Sequence, residues 1–112
     1  MELETTQHAN VTIVAIRGSV DATTADSLSS TLIGLAQNGQ TSLIADFGGV
    51  SYTSSAGLRA LLASLKEARQ RGGDLRLARV HEDVYRVLQL SGFTGILKMY
   101  PDLDSAIASY AG

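Results

Sequence analysis

Short apolar runs of strand length alternate along this chain with longer segments in which leucine recurs every three or four residues. The first kind of run is rich in valine and isoleucine, which is typical of buried β-strands, and the second has the spacing of an amphipathic helix. The predicted strands are Val11–Ile16, Ser42–Phe47, Leu75–Ala78 and Ile96–Met99, and the helical stripes run from Ala25 to Ala36, Leu58 to Leu65, Val84 to Leu88 and Leu103 to Tyr110. This alternation predicts an α/β domain with a single-layer mixed, partly parallel sheet of four to five strands and about four helices.

Glycines and short polar residues predict where these elements begin and end. Residues 3–7 are a candidate edge strand, joined to the next strand by a turn at residues 8–10. We expect Gly18 to break the strand that begins at Val11, and Gly48-Gly49 to end the following one. Residues 50–54 would then form a loop before the second helix.

Composition and charge narrow the class of protein. The chain has 112 residues, 45% of them apolar and 18% charged, which predicts one globular domain over residues 1–112. It has no cysteine, which excludes a disulfide scaffold and a thiolate nucleophile. The net charge of −2 offers no attraction to nucleic acid or anionic lipid. No signal sequence and no apolar run of the ~20 residues needed to span a bilayer is evident, so we expect a cytoplasmic protein without membrane partner, metal or cofactor.

The segment Ser51-Tyr52-Thr53-Ser54-Ser55 places several hydroxyl groups directly before the second helix. In sheets of this kind, functional loops lie beyond the carboxyl ends of the parallel strands. Ser54 or Ser55 suits the N-cap of the helix, where a side-chain oxygen accepts a backbone N–H for about 1 kcal/mol. Gly57 costs roughly 0.8–1 kcal/mol relative to alanine in the first turn, which suggests that something approaches the backbone there. Because a helix N-terminus favours anions, the fold would also tolerate a phosphate on Ser55.

Four stretches taken together resemble the STAS domain of bacterial anti-sigma factor antagonists, in order and over about the whole chain. They are Arg17-Gly18-Ser19-Val20-Asp21, then Asp46 through Ser54-Ser55-Ala56-Gly57-Leu58, then Arg71-Gly72-Gly73-Asp74-Leu75, and Val87-Leu88-Gln89-Leu90-Ser91-Gly92-Phe93. The resemblance implies a protein that docks onto an ATP-binding anti-sigma factor serine/threonine kinase and frees the sigma factor held by it. It also implies phosphorylation by that kinase and a PP2C-type phosphatase as a second partner, with a weak homodimer left open.

The resemblance also assigns roles to particular residues. Ser55 takes the place of the phosphorylated serine, with Ser54 as the alternative acceptor, because many family members have aspartate where this chain has Ser54. Asp21 takes the place of an acidic residue before the first helix, and Asp46 that of an acidic or amide residue at the end of the third strand. The predicted partner-binding residues are Asp21, Asp46, Tyr52, Thr53, Ser54, Ala56, Gly57 and Arg59.

Other functions remain as alternatives. A serine hydrolase would need a base for Ser55, but the only histidines are His8 and His81, and no G-x-S-x-G pattern is present. We therefore expect that this protein is not an enzyme. A nucleotide-binding STAS domain stays open although no P-loop is present, and so does a STAS scaffold or regulatory subunit of another phosphorylation-controlled complex.

Overall fold

Five strands form one sheet in the computed structural model, which describes residues 1–111, and they lie in the order in which they occur along the chain. The strands are β1 (Glu2–His8), β2 (Val11–Val20), β3 (Ser42–Thr53), β4 (Asp74–Ala78) and β5 (Lys98–Tyr100). The helices are α1 (Ala25–Gln37), α2 (Ser55–Gln70), α3 (Glu82–Leu90) and α4 (Leu103–Ala108), with one 3-10 turn at Phe93–Gly95. β1 is antiparallel to β2 and the other pairings are parallel, which confirms the predicted mixed α/β sheet.

The helices divide unequally between the two faces of the sheet. The larger core cluster joins α1, α2 and α3 to one face, where side chains such as Leu32, Phe47 and Leu61 are fully buried. Successive crossovers of one hand to the adjacent parallel strand place their helices on the same face. The short α4 covers part of the other face, where Ala106 packs in a smaller cluster with Ile44. The helix that begins with Ser55 therefore lies on the thicker side of the domain.

The predicted strand ends at the glycines are wrong. β2 continues through Gly18 to Val20, and β3 continues through Gly48-Gly49 to Thr53, so residues 50–53 are strand and not loop. The register shifts twice along this pair, between Ala15 and Arg17 and again between Gly18 and Ser19. A glycine at such an irregularity bends the strand without ending it. The strands continue because Val20 and Val50 are buried in the core.

The extended strands decide where the second helix begins. Val20 pairs with Thr53 at the end of the β2–β3 ladder, and the Ser54 N–H donates to the carbonyl oxygen of Val20 over 2.9 Å. The chain then turns directly into α2 at Ser55. As a result, the carboxyl ends of two neighbouring parallel strands and the N-terminus of α2 meet at one place.

Candidate functional site

Ser55 is exposed and is the first residue of α2. Ser54 precedes it as the N-cap residue, and its carbonyl oxygen accepts the first helical hydrogen bond, from the Leu58 N–H over 3.0 Å. Neither serine fulfils the capping expectation, because no side chain at this N-cap bonds to the first turn. The half-buried Ser54 hydroxyl points instead toward the Val20 carbonyl oxygen, 3.5 Å away. Of the two candidate acceptors, Ser55 is the more accessible.

Gly57 is buried, and its lack of a side chain serves packing inside the protein. A Cβ atom at this position would lie 2.8 Å from the Val20 carbonyl oxygen and 2.9 Å from Val20 Cγ1, and it would also collide with Thr53 Oγ1. The first turn of α2 therefore touches the ends of β2 and β3. This corrects the prediction that Gly57 contacts a partner and explains the glycine within the helix without a ligand.

Asp21 lies between β2 and α1, beside the start of α2, because Val20 and Thr53 end the same ladder. Its Oδ1 accepts the Thr23 hydroxyl over 2.6 Å and the Thr23 backbone N–H over 2.9 Å. The hydroxyl first, and then the N–H, hold the pKa of Asp21 below its usual value. The structure thus places a persistent negative charge at the end of the sheet that carries Ser55.

Asp46 does not lie beside Ser55 and Asp21, contrary to the prediction that it belongs to the same binding surface. Side chains alternate along β3, and Asp46 faces the side of the sheet opposite to α2, on which Ile44 packs with α4. It is 5% exposed, and Arg79 binds both of its oxygens, Nε to Oδ1 over 2.9 Å and one terminal nitrogen to Oδ2 over 3.2 Å. Gly48 N–H also donates to Oδ1 over 2.9 Å. Asp46 is a structural brace between β3 and the end of β4.

The remaining predicted residues differ in exposure. Thr53 is buried, so it does not offer its side chain to a partner as predicted. Tyr52 is 54% exposed, Arg59 is exposed and Ala56 is half-buried. The accessible predicted residues at this end of the sheet form what we call the Ser55 surface: Asp21, Tyr52, Ser54, Ser55, Ala56 and Arg59.

A shallow groove between α1 and α2 continues the Ser55 surface. It has a volume of about 360 Å³ and includes Ala56 and Arg59 of that surface. Small side chains line the rest of its α2 wall, and Asp26 and Ser29 line its α1 wall. This groove was not predicted, although the alanines at positions 22, 25, 56, 60 and 63 were a usable signal.

The local charges would accept a phosphate on Ser55. The first turn of α2 has no acidic residue, so no carboxylate of that turn opposes an added anion. The unpaired N–H groups and the positive end of the helix dipole favour negative charge there. Arg59 follows one turn later on the same helix, at the spacing at which side chains are neighbours. Phosphorylation would therefore change the charge of this surface without a cost to α2.

Neither histidine is placed to act as a base for Ser55. His81 Nε2 lies 2.6 Å from the Gly48 carbonyl oxygen. His8 pairs with Val11 at the start of β2, whereas Ser55 lies beyond Val20 at its end, roughly 30 Å away at the rise of a β-strand. Over residues 1–111, no group of His, Asp or Glu side chains is arranged to hold a metal ion. Nor is any helix within that range both long and apolar enough to cross a bilayer.

Comparison with known proteins gives matches over nearly the whole chain. The family model of the STAS domain matches residues 2–106. BtrV of Bordetella bronchiseptica, which is named as an anti-sigma factor antagonist, is 32% identical over 98 residues, covering 88% of this chain and 84% of BtrV.

Solved structures show the same fold at lower identity. A Thermotoga maritima protein named as an anti-sigma factor antagonist has a TM-score of 0.90 at 20% identity, over 96% of this chain and 92% of the other. The Bacillus cell fate determinant SpoIIAA in its phosphorylated form has a TM-score of 0.73 at 17% identity, over 96% of this chain and 98% of the other.

Proposed function

Because this chain belongs to the STAS domain family of anti-sigma factor antagonists, we propose that it binds an anti-sigma factor of the serine-kinase type and is released by phosphorylation of Ser55. The observation that carries the proposal is the exposure of Ser55 at the first position of α2, beside the ionised Asp21. The relatives add support, since BtrV is named as an anti-sigma factor antagonist and SpoIIAA is known in a phosphorylated form. An exposed hydroxyl is the group that a kinase can reach.

In the proposed switch, the negative charge of the phosphate on Ser55 weakens binding to the partner. Phosphorylation adds about −1.5 to −2 charge and three acceptor oxygens at neutral pH. On a chain whose net charge is −2, this roughly doubles the negative charge and concentrates it on the Ser55 surface. Asp21 keeps its charge because its pKa is lowered, so the phosphate adds to a negative charge that the partner already meets at this surface. A loss of about 3 kcal/mol at such a contact weakens binding more than a hundredfold.

The groove between α1 and α2 extends the proposed docking surface. Its alanine-lined wall allows close approach, and Arg59 and Asp26 offer one charge of each sign at its edge. A partner segment placed there would pass beside Ala56 and therefore beside Ser55. The partner would then bind at the same surface on which Ser55 is phosphorylated.

The proposed switch also requires an enzyme that removes the phosphate, and a compartment that all the proteins share. A serine phosphate is stable in water, so we propose a PP2C-type phosphatase that restores the binding form. Since the proposed kinase uses ATP and both enzymes act on the same exposed serine, we place all three proteins in the cytoplasm.

The proposal can be tested by mapping the modified serine and by titration. The protein is incubated with ATP and a serine-kinase anti-sigma factor from the source organism, and chymotryptic peptides are sequenced by mass spectrometry. Cleavage after Tyr52 and Leu58 isolates the two candidate serines in a short peptide. We expect phosphate on Ser55, and phosphate on Ser54 alone would contradict the proposal.

Three variants give the matched titration. Ser55→Ala should bind the kinase as tightly as the unmodified protein, and Ser55→Glu should bind at least tenfold more weakly because it carries part of the phosphate charge. Gln70→Glu, which adds the same charge at the exposed far end of α2, is the control and should bind normally. Equal affinities of the Ser55→Ala and Ser55→Glu variants would remove Ser55 from the switch.

A further inference from the structure

The outer edge of β1 is long and has no strand paired with it over the described residues. β1 has seven residues, Glu2–His8, and lies at the end of the five-stranded sheet, paired on one side with β2. Six of the seven residues are exposed, and only Leu3 is half-buried. The register with β2 runs without a shift from Glu2↔Arg17 to His8↔Val11. The strand therefore presents an unbroken row of backbone groups to solvent.

β1 lacks most of the features that usually prevent such an edge from pairing, and the charges that it carries are those of Glu2 and Glu4. Natural proteins protect edge strands with charged side chains, lysine above all, and with proline, bulges or very short strands. The sequence Glu-Leu-Glu-Thr-Thr-Gln-His contains neither lysine nor proline, and its ladder has no bulge. At the other edge, β5 has only three residues and is protected by its length. The contrast singles out β1 as the edge able to accept another strand.

We propose that β1 pairs with β1 of a second copy of this chain, antiparallel and around a two-fold axis, so that two sheets join into one. A two-fold axis normal to the sheet keeps each side chain on its own face, so only residues of the same parity can stand opposite each other. One register pairs all seven residues: Thr5 faces Thr5 of the second copy, Glu4 faces Thr6 and Glu2 faces His8.

The charges select this register over its neighbours. In it, each Glu2 carboxylate faces an imidazole that can donate an N–H, twice by symmetry, and the central Thr5 pair matches two β-branched hydroxyl residues. Moving the axis to Glu4 would place Glu4 opposite Glu4, and moving it to Leu3 would place Glu2 opposite Glu4. Like charges directly opposite each other are destabilising. Moving it to Thr6 leaves Glu2 and Leu3 without partners.

The dimer leaves the proposed switch accessible. β2 of one copy would run antiparallel to β2 of the other, because β1 is antiparallel to both β2 and the second β1. The two Ser55 surfaces would then lie at opposite ends of the joined sheet. The dimer could hold two partners at once, and its formation does not depend on phosphorylation of Ser55.

Single cysteines test the register, because the chain has no cysteine of its own. Residues opposite each other in antiparallel strands have Cα atoms about 4.5–5.5 Å apart, within disulfide range. We expect Thr5→Cys to form a covalent dimer under mild oxidation at least tenfold faster than Thr6→Cys, whose position faces Glu4 of the second copy. Equal rates for the two variants would overturn the proposed register.

Matched lysines test the pairing without a covalent bond. A small polar interface of this kind forms weak dimers, so sedimentation should be measured from about 10 µM to about 1 mM. The mass of the unaltered protein should rise from 11.8 kDa toward twice that value. Thr5→Lys places two lysines opposite each other and should shift this rise to at least tenfold higher concentration, whereas Thr6→Lys faces Glu4 and should not. A protein that stays monomeric over the whole range would refute the inference.

Discussion

Replacement of Gly57 by alanine tests how closely α2 approaches the sheet. Glycine to alanine within a helix normally stabilises by roughly 0.8–1 kcal/mol. At Gly57 the added Cβ would lie 2.8 Å from the Val20 carbonyl oxygen and 2.9 Å from Val20 Cγ1, and it would also meet Thr53 Oγ1. The carbonyl belongs to a strand within the sheet and cannot rotate away. The first turn of α2 must therefore move.

The gain in helix propensity and the cost of overpacking have opposite signs, and the cost of overpacking is larger. Overpacking of a well-packed site costs about 1–3 kcal/mol, and three contacts below the normal limit place Gly57→Ala in the upper half of that range. After subtraction of the propensity gain, we expect a net loss of about 1–2 kcal/mol in the free energy of unfolding. For a domain of this size that corresponds to a Tm lower by roughly 5–10 °C.

Gly34→Ala provides the matched control. Gly34 lies inside α1, and a Cβ there meets nothing within 4 Å, so the same substitution should raise the free energy of unfolding by up to about 1 kcal/mol. Urea denaturation followed by circular dichroism measures both variants. If Gly57→Ala proves as stable as the unaltered protein, α2 does not press against the ends of β2 and β3 as described.

Two further predictions concern the charged side chains. Arg79→Met removes the guanidinium that binds both oxygens of the buried Asp46, and we expect the free energy of unfolding to fall by about 1–2 kcal/mol, since Arg79 itself is half-exposed; a urea midpoint equal to that of the unaltered protein would show that the pair contributes nothing. Thr23→Val removes the hydroxyl that most lowers the pKa of Asp21, so that pKa should rise toward 3.8, as measured by carboxyl NMR. Because the folded-state pKa is lowered, this carboxylate stabilises the fold above about pH 4 and loses that effect as the pH falls through its folded pKa. The unaltered protein should therefore lose more stability on acidification than Thr23→Val, and identical pH profiles would contradict the assignment.

The order of strands and helices was predictable because each element has its own apolar pattern. The ends of β2 and β3 were not, since glycines such as Gly18 and Gly48 commonly end a strand, whereas here the strand continues. Val20 and Val50, which follow these glycines, are buried, and their burial favours continued pairing over a loop. Apolar residues soon after a glycine were the signal that the strand resumes.

The site was predictable only in part, because some of its contacts join residues that are distant in the sequence. Local sequence indicates which residues begin a helix, and this places Ser55 at the start of α2. It does not reveal contacts between distant residues, such as the pairing of Asp46 with Arg79, 33 positions away. Alternation along β3 was sufficient to place Asp46 on the face opposite to Phe47, and therefore away from α2. The glycine at position 57 indicates a close approach to the backbone, but the identity of the contacting residue, Val20, depends on the packing of helix on sheet.

The affinity of the phosphorylated protein for its kinase partner tests the central claim most directly. Protein phosphorylated only on Ser55 is separated from the unmodified form by anion exchange, and both are titrated calorimetrically into the same anti-sigma factor. We expect the phosphorylated form to bind more than a hundredfold more weakly while its Tm is unchanged or higher, because the phosphate lies at the N-terminus of α2. Equal dissociation constants for the two forms would contradict the proposed switch.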